Sequence, residues 1–337
     1  MSAFVLKLIA GICMIVDHLG ILLGDKLLLA GDAYTAFRSL GRIAFPLYCF
    51  MLVNGAIRTH DRKKYLGRML LFTLLSQVPF VLAFTYTNHM EGARWGALQV
   101  SWVMEPLPMV LLGLALVLFM AGDGFKPSLS WLWLGVSLGI SGLLVTAGDY
   151  RFLKGFDFSV MYTLSMGLGA LCLLDPLLKK DKSLKWYQYI CYGLSLLLIC
   201  YCLLDKADYA FSGLVLILGL YLCHDHPFGQ AGFVLMWSWT EYNVFMTGRM
   251  LLLLGLAVVM YICRKKNWVW VLMLFIYALL LSQISGYTGS YAYPICTALS
   301  VVPMLLYSGE RGRGSKWGFY LVYPVHLLVL GVLFMMI

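Results

Sequence analysis

Long apolar runs parted by short polar loops recur along the whole chain. The first, FVLKLIAGICMIVDHLGILLG, extends from Phe4 to Gly24. Others cover Ile43 to Ile57, Leu66 to Tyr86, Pro106 to Ala121, Trp131 to Ala147, Phe158 to Leu178, Tyr187 to Leu204 and Tyr209 to Cys223, then Phe233 to Met246, Leu251 to Cys263, Trp268 to Ser282, Tyr293 to Tyr307 and Trp317 to Met336. A membrane-spanning helix needs about 20 apolar residues, so these runs predict an all-α polytopic membrane bundle of about 10–13 transmembrane helices. The runs from Ile43, Phe233 and Leu251 are short for a crossing, and that from Phe233 can equally lie in the interface or re-enter. Tyr and Trp at the ends of many runs suit the membrane–water boundary.

Composition agrees with the pattern. Hydrophobic residues make up 61% of the 337 residues and charged residues 12%, with a mean hydropathy of +0.84. No single water-soluble core hides that much apolar surface. No polar stretch has the size of a folded module, so residues 1–337 are expected to form one transmembrane domain. Asp17 and His18 inside the first run argue against a cleaved signal peptide, whose apolar region carries neither residue type. The nine cysteines are scattered without metal-ligand spacing and read as small apolar side chains.

Basic residues set the expected orientation. Arg58, Arg62, Lys63, Lys64 and Arg68 cluster around one short loop, and Lys179 to Lys185, Arg264 to Lys266 and Arg311 to Lys316 mark three more. Cytoplasmic loops carry the Lys/Arg excess, which places these loops and the N-terminus on the cytoplasmic side of a multi-pass membrane protein. The net charge of +9 then needs no nucleic-acid partner.

Against this apolar background the polar residues stand out. Asp17 and His18 lie near the middle of the first run, where an ionisable group costs at least ~2.5–3.5 kcal/mol on insertion scales. Lys7 and His18 are eleven residues apart, which returns them to nearly one helical face about 16 Å apart along the axis, with Gly11 on the same stripe. Asp17 lies about 100° round from His18 and is expected to pair with a cation on another helix. Arg38 and Arg42 share a face at i, i+4, while Gly41 and Pro46 are expected to interrupt helix there. Cations beside loosened backbone suit a developing oxyanion, and a plain salt bridge to Asp17, Asp25 or Asp32 is the alternative.

Near the other end of the chain, Tyr323 and His326 are i, i+3 and project to one side. Pro324 cannot donate to the carbonyl of Tyr320, so a structural role for His326, capping such a carbonyl, competes with a chemical one. The preceding loop, with Arg311, Arg313 and Lys316 among glycines, has the composition of a phosphate cradle, although topology alone explains its charge. His224-Asp225-His226 has too few partners for a metal site and reads as a polar turn capped by Pro227. His60 and His89 fall in loops and need no role.

These residues resemble the TraX family of conjugal-transfer proteins, membrane acetyltransferases of the kind that acetylate the pilin N-terminus. The resemblance is carried by LKLIAGICMIVDHLG (Leu6 to Gly20), LGRIAFPLYCFMLVNG (Leu40 to Gly55) and RTHDRKKYLGRMLLFTLLSQVPF (Arg58 to Phe80). It continues in Phe158 to Leu168, Ala207 to Leu222 and Lys316 to Leu330, whereas Thr85 to Phe156 and His224 to Gly309 carry little of it. Lys7 and His18 also fit the Arg/Lys-x10-His pattern of the wider membrane acyltransferase group.

The resemblance implies an acetyl-CoA-dependent N- or O-acetyltransferase that takes acyl-CoA from the cytoplasm, without a metal. Its implied base is His18, supported by Asp17, Arg38, Arg42, Tyr323 and His326, with Lys7, Arg68, Arg311, Arg313 and Lys316 as contacts for CoA. The implied partners are the lipid bilayer, acyl-CoA and a peptide, pilin-like or glycan acceptor, and a homo-oligomer is open. The rival from another class is a proton-coupled transporter or flippase with Asp17 and His18 as a relay, which leaves the expected internal repeat unseen. A structural subunit of a secretion or conjugation apparatus ranks last, because it leaves Asp17, His18 and His326 unexplained.

Overall fold

The computed structural model describes residues 1–25, 28–84, 159–179, 209–242, 246–262, 291–313 and 316–336, with single positions between 186 and 199. Eleven helices and no strand occur among these residues: α1 (Ala3–Asp25), α2 (Gly31–Gly41), α3 (Ala44–Arg58), α4 (Arg62–Phe84), α5 (Val160–Lys179), α6 (Ala210–Leu222), α7 (Pro227–Glu241), α8 (Met246–Ile262), α9 (Ala292–Leu299), α10 (Val301–Leu305) and α11 (Lys316–Met336). Residues 3–24 and 31–58 are long and apolar enough to cross a membrane, and five shorter apolar helices accompany them. Rows of exposed Leu, Ile and Val on these helices are the surface expected of a helical membrane bundle. The runs expected at Pro106–Ala121, Trp131–Ala147 and Trp268–Ser282, most of Tyr187–Leu204, His89 and most of the Lys179–Lys185 and Arg264–Lys266 loops lie outside the described residues.

The expected runs correspond to α1, α3, α4, α5, α6, α8 and α11 within a few residues. Three differences have physical causes. Gly31 to Gly41 forms a helix of its own that the run analysis did not predict; Asp32 in its first turn and Arg38 in its last complement the helix dipole, but its mixed polarity hides it from a search for apolar runs. The helix breaks at Arg42 and Ile43 rather than at Pro46, which sits in the first turn of α3, where a missing N–H leaves no bond unmade. The run from Tyr293 to Tyr307 is split at Ser300, because Pro303 cannot donate to the carbonyl of Leu299.

The chain divides into two compact units. The unit formed by Met1–Gly55 and Val215–His326 contains the α1–α2 hairpin. Its close approaches run in antiparallel register: a Cβ placed on Gly41 would enter Asp17, one on Gly20 would meet Phe37 Cβ at 2.8 Å, and one on Gly24 would meet the Tyr34 ring at 2.6 Å. Small residues therefore let the two backbones approach, which is how helices associate where lipid offers no hydrophobic drive. α2 also packs on α9, and α7 packs on α8, α9 and α10. Trp237 and Phe233 of α7 are fully buried; Phe233 fills the space left by Gly219, Trp237 lies 5.9 Å from Phe45, and Gln230 Nε2 donates to the Leu220 carbonyl at 2.9 Å.

The second unit, Ala56–Leu214 with Leu327–Ile337, contains the α4–α5 pair. Its seam is polar. The hydroxyls of Thr73 and Ser165 lie 2.5 Å apart, Gln77 accepts from the Ser159 amide at 3.2 Å, and Arg62 meets Asp175 at 2.9 Å. Such bonds hold helices together inside a membrane, each contributing about 0.6 kcal/mol on average.

Candidate functional site: a histidine pair between the first and last described helices

The periodicity of α1 turns His18 inward. Leu6, Ala10, Met14, His18 and Leu22 recur every four residues and are buried, whereas Leu8 and Ile12 are 47% and 55% exposed. In α11 the buried positions Tyr323, His326, Leu327 and Leu330 follow the same helical spacing, and Leu321, Val325, Leu328 and Val329 form the exposed face. Two histidines 308 positions apart thus meet in the same unit: His18 Nδ1 lies 2.7 Å from His326 Nε2, with the rings nearly parallel at 4°. The Tyr323 ring stands edge-on to both, at 6.2 Å from His18 and 5.5 Å from His326.

His326 Nδ1 donates to the Val322 carbonyl at 2.7 Å. The Tyr320 carbonyl opposite Pro324, expected as the capping target, is not the one used. A helical side chain leans toward the N-terminus and reaches the carbonyl four residues back on its own helix. Gly11, on the stripe shared by Lys7 and His18, faces Tyr48: a Cβ there would stand 3.8 Å from the Tyr48 hydroxyl.

Asp17 faces a different partner. Its Oδ1 lies 2.7 Å from Arg38 Nη1 and 3.6 Å from Arg42 Nη2, so the salt-bridge alternative for the two arginines is the arrangement found. Both arginines also lie within electrostatic reach of His18, and Arg42 of the half-buried Tyr242, whose hydroxyl is 3.4 Å from that of Thr297. Two cations, one carboxylate, a phenol and a histidine pair therefore share one region of this unit.

The basic residues separate into two groups. In the first unit the segment from Leu306 to Arg313 wraps the start of α1: Met1 N reaches the Leu306 carbonyl, the Ser308 amide donates to the Met1 carbonyl at 2.9 Å and the Ala3 amide to the Glu310 carbonyl at 2.8 Å. Gly312, at φ +71°, lets the segment fold against Ser2 and Phe4. Arg311 is thereby brought within electrostatic reach of Lys7, while Arg313 is exposed nearby in sequence and Lys316 begins α11. Arg68 belongs to the second unit, where its guanidinium lies 5.9 Å from the Tyr65 ring.

His224-Asp225-His226 forms a turn with Pro227 at the first position of α7, and His224 pairs with Asp225 at 3.0 Å. No cluster of metal-binding side chains occurs among the described residues. Sequence reasoning overlooked Tyr48, Tyr242 and Thr297, which look like ordinary interior residues in a chain with 21 tyrosines. It also overlooked Asp175, for which a signal existed: it is an acidic residue in an apolar run.

Residues 2–158 match the family model described as TraX protein. Over those residues the chain is similar to the TraX family. The match contains Lys7, Asp17, His18, Arg38, Arg42 and Arg68 and runs through Thr85 to Phe156, which had been expected to match poorly; it ends before Tyr323 and His326. A curated relative, "Probable fimbrial assembly protein FimC, serogroup H1" of Dichelobacter nodosus, is 37% identical over 119 residues, 34% of this chain and 45% of the relative. The chain thus spans less than half of the length of the curated relative it matches. No solved structure matches.

Proposed function

We propose that this membrane protein is a TraX-type acyltransferase that moves an acetyl group from cytoplasmic acetyl-CoA to an amine or hydroxyl of a peptide, pilin-like or glycan acceptor. The observation that carries the reading is the buried imidazole of His18, hydrogen-bonded to His326 and set on the inward face of α1 eleven residues from Lys7. A general base must be held in a defined orientation near the reacting proton, and a buried, bonded imidazole meets that demand. The similarity to a probable fimbrial assembly protein supports an acceptor among surface-filament subunits.

In this reading the chain is multi-pass in the bacterial cytoplasmic membrane with its N-terminus inside. Lys7, Arg311 and Arg313 offer positive charge to the phosphates of CoA. His18 removes a proton from the acceptor, whose nitrogen or oxygen attacks the thioester carbonyl. Arg42, at the longer distance from Asp17, offers charge to the oxyanion. The C–S bond then breaks, and the proton returns from His18 to the CoA thiolate, giving free CoA.

The relay of a transporter fits less well, because Asp17 directs its charge to Arg38 and Arg42. His18→Ala tests the proposal. Membranes containing equal amounts of the native and variant protein are given radiolabelled acetyl-CoA, and incorporation into membrane-bound acceptors is counted. Loss of incorporation is expected; undiminished transfer overturns the assignment.

A further inference from the structure

We propose that His326 is a positioning residue that holds His18 in the tautomer with its proton on Nδ1, so that Nε2 is the nitrogen that takes the acceptor's proton. This inference rests on the reading of His18 as the base. It follows from the direction of two hydrogen bonds. A carbonyl oxygen only accepts, so the 2.7 Å contact between His326 Nδ1 and the Val322 carbonyl requires the proton of His326 to lie on Nδ1.

A neutral imidazole carries one N–H, so His326 Nε2 is then an acceptor. The 2.7 Å contact from His18 Nδ1 to that nitrogen must therefore be donated by His18. The proton of neutral His18 is assigned to Nδ1 and its lone pair to Nε2. One backbone carbonyl thus fixes the roles of four ring nitrogens across two helices.

The chain of bonds does for His18 what a carboxylate or carbonyl does for other catalytic histidines: it selects the tautomer and the ring orientation. When Nε2 gains the acceptor's proton, the Nδ1–H bond to His326 persists and steadies the imidazolium. When the proton passes to the departing CoA thiolate, the same tautomer is restored. Each turnover returns the pair to its starting state without a proton crossing to His326.

The test uses the full-length protein in lipid nanodiscs with 15N-labelled histidine. The chain has only six histidines, and the His18 signals are identified by their loss in His18→Gln. In the native protein His18 is expected to be protonated on Nδ1 and unprotonated on Nε2; the opposite tautomer overturns the inference.

Two substitutions then separate acceptor from ring. His326→Gln keeps an acceptor near the position of Nε2, while His326→Phe keeps a ring and removes the acceptor. His326→Phe is expected to lower kcat for acetyl transfer about 10–100-fold with KM for acetyl-CoA unchanged, the cost typical of losing such a partner. His326→Gln is expected to restore most of the rate and the Nδ1–H signal. Equal rates and equal tautomers in the two variants overturn the inference. Should His326→Phe fail to fold, the native tautomer and His326→Gln still decide it. The outcome is distinguishable from failure of the base reading, which His18→Ala alone determines.

Discussion

Arg38 Nη1 lies 2.7 Å from Asp17 Oδ1, and both side chains are largely withdrawn from the surface, at 18% and 15% exposure. Gly41, on the same helix as Arg38, has no space for a side chain because Asp17 occupies it. The hairpin between α1 and α2 therefore depends on one carboxylate for both charge and shape.

Removing that carboxylate takes the counter-charge away from Arg38 and Arg42 in a poorly solvated place. Asp17→Ala is expected to destabilise the protein on the order of 3 kcal/mol, the range for breaking a buried ion pair from one side. Thermal unfolding of purified protein in detergent measures it. The double variant Asp17→Ala, Arg38→Ala should lose less than the sum of the two single changes; strict additivity would show the pair to be uncoupled.

The glycines give a sharper contrast. Gly41→Ala pushes a methyl group into Asp17 and is expected to lower the melting temperature clearly. Gly67→Ala, in the interior of α4 with nothing within 4 Å of the new carbon, should be neutral or raise stability by up to about 1 kcal/mol, because alanine restricts the unfolded chain. Equal melting temperatures for the two variants would contradict the packing described for α1 and α2.

The α4–α5 seam predicts a non-additive pair. Thr73→Val leaves Ser165 without its 2.5 Å neighbour and is expected to cost about 1–2 kcal/mol. Adding Ser165→Ala should recover part of the loss, because replacing both partners leaves no stranded hydroxyl. Denaturation of the four proteins of the cycle checks this.

At the basic end, the double change Arg311→Ala, Arg313→Ala tests the proposed phosphate contacts. KM for acetyl-CoA should rise roughly tenfold for each charged hydrogen bond lost, with kcat nearly unchanged. A fall in kcat at constant KM would move these residues from CoA binding to another task.

Much of this molecule is legible in its sequence, and what is not has a common cause. Apolar runs reveal α1, α4 and α11 because lipid imposes a length and a composition on each helix separately. The expense of a polar residue in lipid likewise singles out Asp17, His18 and His326 one by one. Partnership is a different kind of information. Helical geometry correctly turns Asp17 away from His18, yet nothing in the order of residues says that His18 meets His326 rather than the Tyr323 hydroxyl or a cation. α2 is missed because a short amphipathic helix, held by its contact with Gly20 and Gly24, carries no apolar run of its own. Tyr242 and Thr297 acquire significance only from the charges that the fold places beside them.

The hydrogen bond between His18 and His326 also has a consequence for biogenesis. With 308 positions between them and translation at about 5–20 residues per second, α1 waits roughly 15–60 s in the membrane before its partner helix is made. During that interval the imidazole of His18 must be accommodated by α2, by water or by the insertion machinery. Assembly of the pair thus becomes a late event, and a nascent chain stalled before α11 carries His18 without His326.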